Sequence, residues 1–90
     1  MRVLTTPRFL RTVKKLHADE KPALDEAVKL VSANLDIGEL KKGDLTGVRV
    51  YKYRFQTEQM LLAYAANKIE QVIILMGYGT YENFYRDLKH

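Results

Sequence analysis

The sequence contains no cysteine and no tryptophan, and only two histidines, two prolines and five glycines among its 90 residues. Without cysteine there are no disulfides and no thiolate zinc sites. Two histidines with no clustered carboxylates do not make a metal site, so no metal and no cofactor is expected. Sparse glycine and proline argue against a disordered or fibrous chain. The N-terminus, Met-Arg-Val-Leu-Thr-Thr-Pro, lacks an apolar signal core. The apolar run Val72 to Met76 falls far short of the roughly 18 residues that span a bilayer. A soluble, cytoplasmic protein with no membrane partner is the expectation.

What is present suits one folded unit. The chain is 47% hydrophobic and 29% charged, and its length allows one hydrophobic core, so residues 1–90 are read as a single domain. Fifteen Lys and Arg against eleven Asp and Glu give a net charge of +4, which favours an anionic partner.

Arg2 to Leu4 read as a short strand closed by Thr5-Thr6-Pro7, with Thr6 as helix N-cap and Pro7 at the first helical position. Phe9, Val13 and Leu16 then recur at helical spacing and leave Arg8, Arg11, Lys14 and Lys15 as a basic outer face. Leu24, Val28, Val31 and Leu35 mark a second amphipathic helix, entered through Ala18-Asp19-Glu20. Glu39 to Thr46 shows neither period and reads as the longest loop, with Leu40 and Leu45 as its anchors to the core. Val48 to Phe55, Gln59 to Ala65 and Gln71 to Met76 form three strands of an antiparallel meander, turning at Thr57-Glu58 and at Ala66-Asn67-Lys68. The apolar last strand should be covered on both faces or lie centrally in the sheet. Thr80 caps a short final helix, Tyr81 to Lys89. The fold class is therefore α+β in the order β-α-α-β-β-β-α.

Alternation places Arg49, Tyr51, Tyr53 and Phe55 on one side of their strand and Val48, Val50, Lys52 and Arg54 on the other. The aromatic side is the expected core face. Lys52 and Arg54, about 6.6 Å apart, are then two adjacent cations suited to a phosphate, or else an exposed strand face that resists edge-to-edge aggregation. Tyr81 and Tyr85 share a helix face, either as stacking platforms for unpaired RNA bases or as ordinary surface packing. His17 and His90 have no acid partner at motif spacing and read as helix-end or solvent residues. No phosphate-binding glycine loop or nucleophile elbow occurs.

The strand order, the run Gly43-Asp44-Leu45-x-Gly47-Val48-Arg49-x-Tyr51-Lys52-x-Arg54 and the ending Gly79-Thr80-Tyr81-x-x-Phe84-Tyr85 together resemble the RelE/ParE superfamily of bacterial type II toxins. The resemblance covers essentially the whole chain. It implies two N-terminal helices packed on a curved antiparallel sheet with a short C-terminal helix, and inhibition by a cognate antitoxin protein. In the RelE branch it implies ribosome-dependent endonuclease activity on mRNA, which blocks translation. Carried over by position, it makes Lys52, Arg54 and Tyr85 catalytic, with Lys52 the candidate base, Arg54 the phosphate clamp and Tyr85 the stacking or proton-donating aromatic. Arg49, Tyr81, Arg86, Arg8, Arg11, Lys14 and Lys15 are the candidate RNA-binding residues. The chain departs from the nuclease pattern in three places: Leu61 or a neighbour stands for an arginine on the third strand, Gly79 for an arginine, and Tyr81 for a histidine. The alternatives are a ParE-like toxin that inhibits DNA gyrase without cleaving a bond, or an inactive regulatory relative.

Overall fold

The computed structural model describes residues 2–41 and 47–83. Its elements are β1 (Arg2–Thr5), α1 (Pro7–Lys14), α2 (Glu20–Ala33), β2 (Glu39–Leu40), β3 (Arg49–Phe55), β4 (Glu58–Asn67) and β5 (Val72–Thr80). Residues 81–83 begin a further helical turn, and the rest of the expected final helix, Phe84 to Lys89, lies outside the described residues.

The strands form one sheet in the order β1-β5-β4-β3-β2. As expected, β3, β4 and β5 make an antiparallel meander, while β1 runs parallel to β5. The apolar strand β5 thus lies inside the sheet between β1 and β4, with Val72, Ile73 and Leu75 buried.

Local chemistry starts α1 where the sequence indicates. The Thr6 hydroxyl accepts from the Phe9 N–H at 3.2 Å, and Pro7 opens the helix. Phe9 is buried, with Val13 and Leu16 packed beside it, and Arg8, Arg11, Lys14 and Lys15 are exposed. Asp19 stands at the N-cap of α2 but makes no side-chain capping bond. Leu24, Ala27 and Val31 enter the core from α2.

The main core lies between the helices and one sheet face. Phe9, Leu24, Ala27 and Val31 meet Met60, Leu62, Tyr64, Ile73, Leu75 and Tyr78, with Tyr51, Tyr53 and Phe55 packed alongside. A smaller cluster of Val50, Leu61 and Ala63, with Val48, occupies the opposite face.

Three features depart from the sequence reading, the first being that β5 does not end at Met76 but runs on to Thr80. Glu39 and Leu40 are not loop: they pair with Val50 and Arg49 as a two-residue edge strand, too short for any periodicity to declare itself. Leu40 does not anchor to the core and is 52% exposed, whereas Leu45 lies outside the described residues. The turns also fall slightly elsewhere, at Gln56-Thr57 and at 68–71, where Gln56 and Gln71 each adopt φ 56°.

β5 carries a bulge. Ala63 pairs with Gly77 but Tyr64 pairs with Leu75, so Met76 has no partner across the ladder. The extra residue exchanges the two faces of the strand along its length. Ile73 and Leu75 face the helices on one side of the bulge, and Tyr78 does so on the other. The Thr6 hydroxyl donates to the Met76 carbonyl at 3.2 Å, joining the bulge to the start of α1.

Candidate nucleic-acid interface on the outer sheet face

Directly paired residues in an antiparallel sheet project to the same side. Lys52 pairs with Leu61, and Leu61 pairs with Gly79. Lys52, Leu61 and Gly79 therefore form one row across β3, β4 and β5, on the face away from the helices. The register also selects Leu61, and neither Met60 nor Leu62, as the third-strand position beside Lys52, because those two neighbours belong to the helix-side core. Leu61 is fully buried against Val50 and Ala63. At Gly79 an added Cβ would meet nothing within 4 Å.

Lys52 and Arg54 are both exposed on this face. Arg54, next to Lys52 along the strand, has no ion pair among the described residues. The Lys52 ammonium lies 6.0 Å from the centroid of the Tyr81 ring, at the outer limit of a cation–π contact. It is also 3.9 Å from a Glu39 carboxylate oxygen. The other Glu39 oxygen is 3.4 Å from the Lys41 ammonium. Thr80 accepts the Asn83 N–H at 3.2 Å, the expected cap, which fixes the turn bearing Tyr81.

The other described candidates, Arg49, Arg8, Arg11, Lys14 and Lys15, are not on this face. Arg49 points to the helix side, where its guanidinium donates to the Gly38 carbonyl at 2.8 Å and pairs with Asp36 at 3.3 Å. Asp36 also holds Lys68 at 2.6 Å. Its carboxyl is kept below the usual carboxylate range, first by the Lys68 hydrogen bond, which outweighs an opposing effect of desolvation, and then by the charges of Lys68 and Arg49. Arg8, Arg11, Lys14 and Lys15 lie on α1, in the layer on the other side of the sheet. Tyr85 and Arg86 lie outside the described residues.

Tyr51 and Tyr53 likewise face the helices and do not flank the cations. Tyr51 stacks on Tyr53 with centroids 6.1 Å apart, and Tyr53 on Tyr78 at 6.3 Å. The Tyr53 and Tyr78 hydroxyls are 2.5 Å apart, and Tyr78 donates to Glu20 at 2.6 Å. Burial raises the pKa of both phenols. The Glu20 acceptor adds to the rise at Tyr78, whereas the Tyr78 hydrogen bond works against it at Tyr53. Beside this chain is an open groove of about 320 Å³ lined by His17, Asp19, Glu20, Phe55, Gln56, Glu58, Met60 and Thr80. His17 has no bonded acid there among the described residues, and it stands in the connection beyond the Lys15 C-cap, not at the helix end. The same described residues contain no group of three or more His, Asp or Glu able to hold a metal ion, and no helix long and apolar enough to cross a membrane.

Sequence reasoning missed Glu39 and Lys41, because their place beside Lys52 depends on β2 pairing with β3. The only available signal was the alternation Glu39-x-Lys41 in an otherwise unpatterned stretch.

The family model for the ParE-like toxin of type II bacterial toxin-antitoxin systems matches residues 3–89, and the chain belongs to that family. Among solved structures it is similar to the E. coli RelBE toxin-antitoxin complex, with TM-score 0.68 and 18% identity over 87% of this chain and 93% of that one. It is also similar to the isolated E. coli RelE toxin, with TM-score 0.67 and 18% identity over 98% and 95% of the two chains. A third similar structure is a RelE double arginine-to-alanine mutant bound to an antitoxin peptide, with TM-score 0.67 and 16% identity over 97% and 92%. At these identities the likeness is one of fold. Comparison with curated proteins gives no match.

Proposed function

We propose that this toxin is a ribosome-dependent mRNA endonuclease whose substrate lies on the outer face of the sheet. The observation that carries the reading is the exposed Lys52 and Arg54 pair on that face, with the Tyr81 ring beside Lys52. Cleavage next to a 2′-hydroxyl needs a base for that hydroxyl, positive charge for the phosphorane and an acid for the leaving oxygen. Lys52 is the candidate base, which takes the hydroxyl proton in its neutral amine form, Arg54 offers a planar fork to the phosphate, and Tyr85 supplies the stacking ring or the leaving-group proton. With Leu61 and Gly79 in the same row as Lys52, that row carries a single cation. Absence of one such charge-stabilising group typically costs about 10²–10³ in rate, so slow turnover is expected. The partner is a cognate antitoxin, as E. coli RelE has in the RelBE complex, and on the outer-face reading its carboxylates would lie against Lys52 and Arg54.

The test adds purified protein to translating ribosomes and maps mRNA 5′ ends. New ends that disappear with Lys52→Ala and Arg54→Ala support the reading. No new ends, together with full toxicity of the double variant, refute it. The single cation in the Lys52–Leu61–Gly79 row favours a second reading, a toxin that inhibits DNA gyrase by binding alone. Inhibited supercoiling with mRNA left intact would establish that reading instead.

A further inference from the structure

Glu39 pairs with Val50, which places it on the outer face, one row from Lys52. Its carboxylate spans two ammonium groups, with one oxygen 3.4 Å from Lys41 and the other 3.9 Å from Lys52. Two anionic oxygens held between two cations are also what an RNA phosphate would present there. Resting on the outer-face reading above, we propose that Lys41 is a further phosphate-binding residue of the Lys52–Arg54 site and that Glu39 is an internal anion which RNA must displace.

The three residues differ in freedom in the way this role requires. The Lys41 side chain is 19% exposed and Lys52 37%, whereas Glu39 is 63% exposed. Lys41 is the most covered of the three and Glu39 the most open to solvent. The Lys41 N–H donates to the Val48 carbonyl at 2.9 Å, fixing the backbone that carries the amine. On the other side of β2, Arg49 and Tyr64 bond to Gly38, so the strand bearing Glu39 is tied to the sheet at both ends. Ion pairs this long and this exposed are weak. A phosphate entering with a second contact at Arg54 would outcompete one. With Glu39 in place the trio Lys41, Lys52 and Arg54 is partly neutralised, and displacing Glu39 removes that counter-charge.

The experiment measures binding of a fluorescent single-stranded RNA oligonucleotide to the full chain by anisotropy across a salt series, with folding of each variant checked by circular dichroism. Glu39→Gln is expected to tighten binding about 3- to 10-fold at low salt, with the gain shrinking as salt rises. Lys41→Ala should weaken binding and, combined with Glu39→Gln, cancel most of the gain. Glu26→Gln makes the same change in net charge on α2, where Glu26 pairs with Lys29, and should gain less than about 2-fold. A Glu39→Gln gain no larger than that of Glu26→Gln, or wild-type binding by Lys41→Ala, overturns the proposal. If Lys52→Ala weakens binding while Glu39→Gln fails to tighten it, this inference alone falls. Binding that Lys52→Ala leaves unchanged, or no binding at all, removes the outer-face reading and this inference together.

Discussion

The Tyr64 hydroxyl closes the connection after α2 by accepting from the Gly38 N–H at 2.9 Å, and the same oxygen donates to the Leu35 carbonyl at 2.9 Å. Tyr64 is fully buried, so the chain between α2 and β2 is held from inside the core. Tyr64→Phe keeps the ring but strands an N–H and a carbonyl, and should cost about 1–3 kcal/mol in a denaturant titration. Gly38→Ala should also destabilise, because its Cβ would come within 2.6 Å of the Tyr64 oxygen and 2.8 Å of a ring carbon.

Tyr78 and Tyr53 predict an alkaline limit to stability. Both phenols titrate above the ordinary tyrosine value in the folded chain, so above that value the unfolded chain loses protons that the folded chain retains. Their contribution is complete below about pH 10 and is lost as pH rises further. Urea midpoints measured from pH 8 to pH 11 should fall steeply for the wild type. Tyr78→Phe should begin lower at pH 8 and decline less.

The Lys52 row offers a substitution that would add charge without disturbing the fold. Gly79→Arg enters open space and should keep the melting temperature near wild type while tightening RNA binding and, under the nuclease reading, raising the cleavage rate. Leu61→Arg carries the same charge into a fully buried site. It should lower the melting temperature sharply, since burying an unpaired charge is costly. Thermal melts alongside the ribosome assay distinguish the two effects.

Tyr81 tests the aromatic contribution. Its ring faces the Lys52 ammonium at 6.0 Å and is half exposed. Tyr81→Phe should keep most of the toxicity, Tyr81→Ala should lose more, and both should melt close to wild type. Growth inhibition on induced expression reads the difference, and equal toxicity of Tyr81→Ala and wild type would remove the ring from the site.

Much of this was legible in the residues. The Thr6-Pro7 pair marks the start of α1, and the alternation along Arg49 to Phe55 separates aromatics from cations. Arg49 already falls on the aromatic side by that count, yet its bonds to Gly38 and Asp36 depend on contacts 11 and 13 residues away in sequence. Glu39 was illegible as a site residue, because a two-residue strand exists only through its partner. The faces of β5 were illegible for a different reason: Val72 to Met76 is apolar throughout, and a run without alternation cannot reveal where its sidedness changes.

Met76 is where it changes. The unpaired residue acts as a phase slip, so β5 answers to two masters: residues up to Leu75 are constrained by the helices on one side, and Gly77 and Gly79 by whatever the outer face must accommodate. Side chains at 79 can therefore vary without retuning the core at 73 and 75. Because Thr6 grips the slip through the Met76 carbonyl and caps α1 through the Phe9 N–H, one hydroxyl joins the place where the first helix begins to the place where the fifth strand reverses its faces.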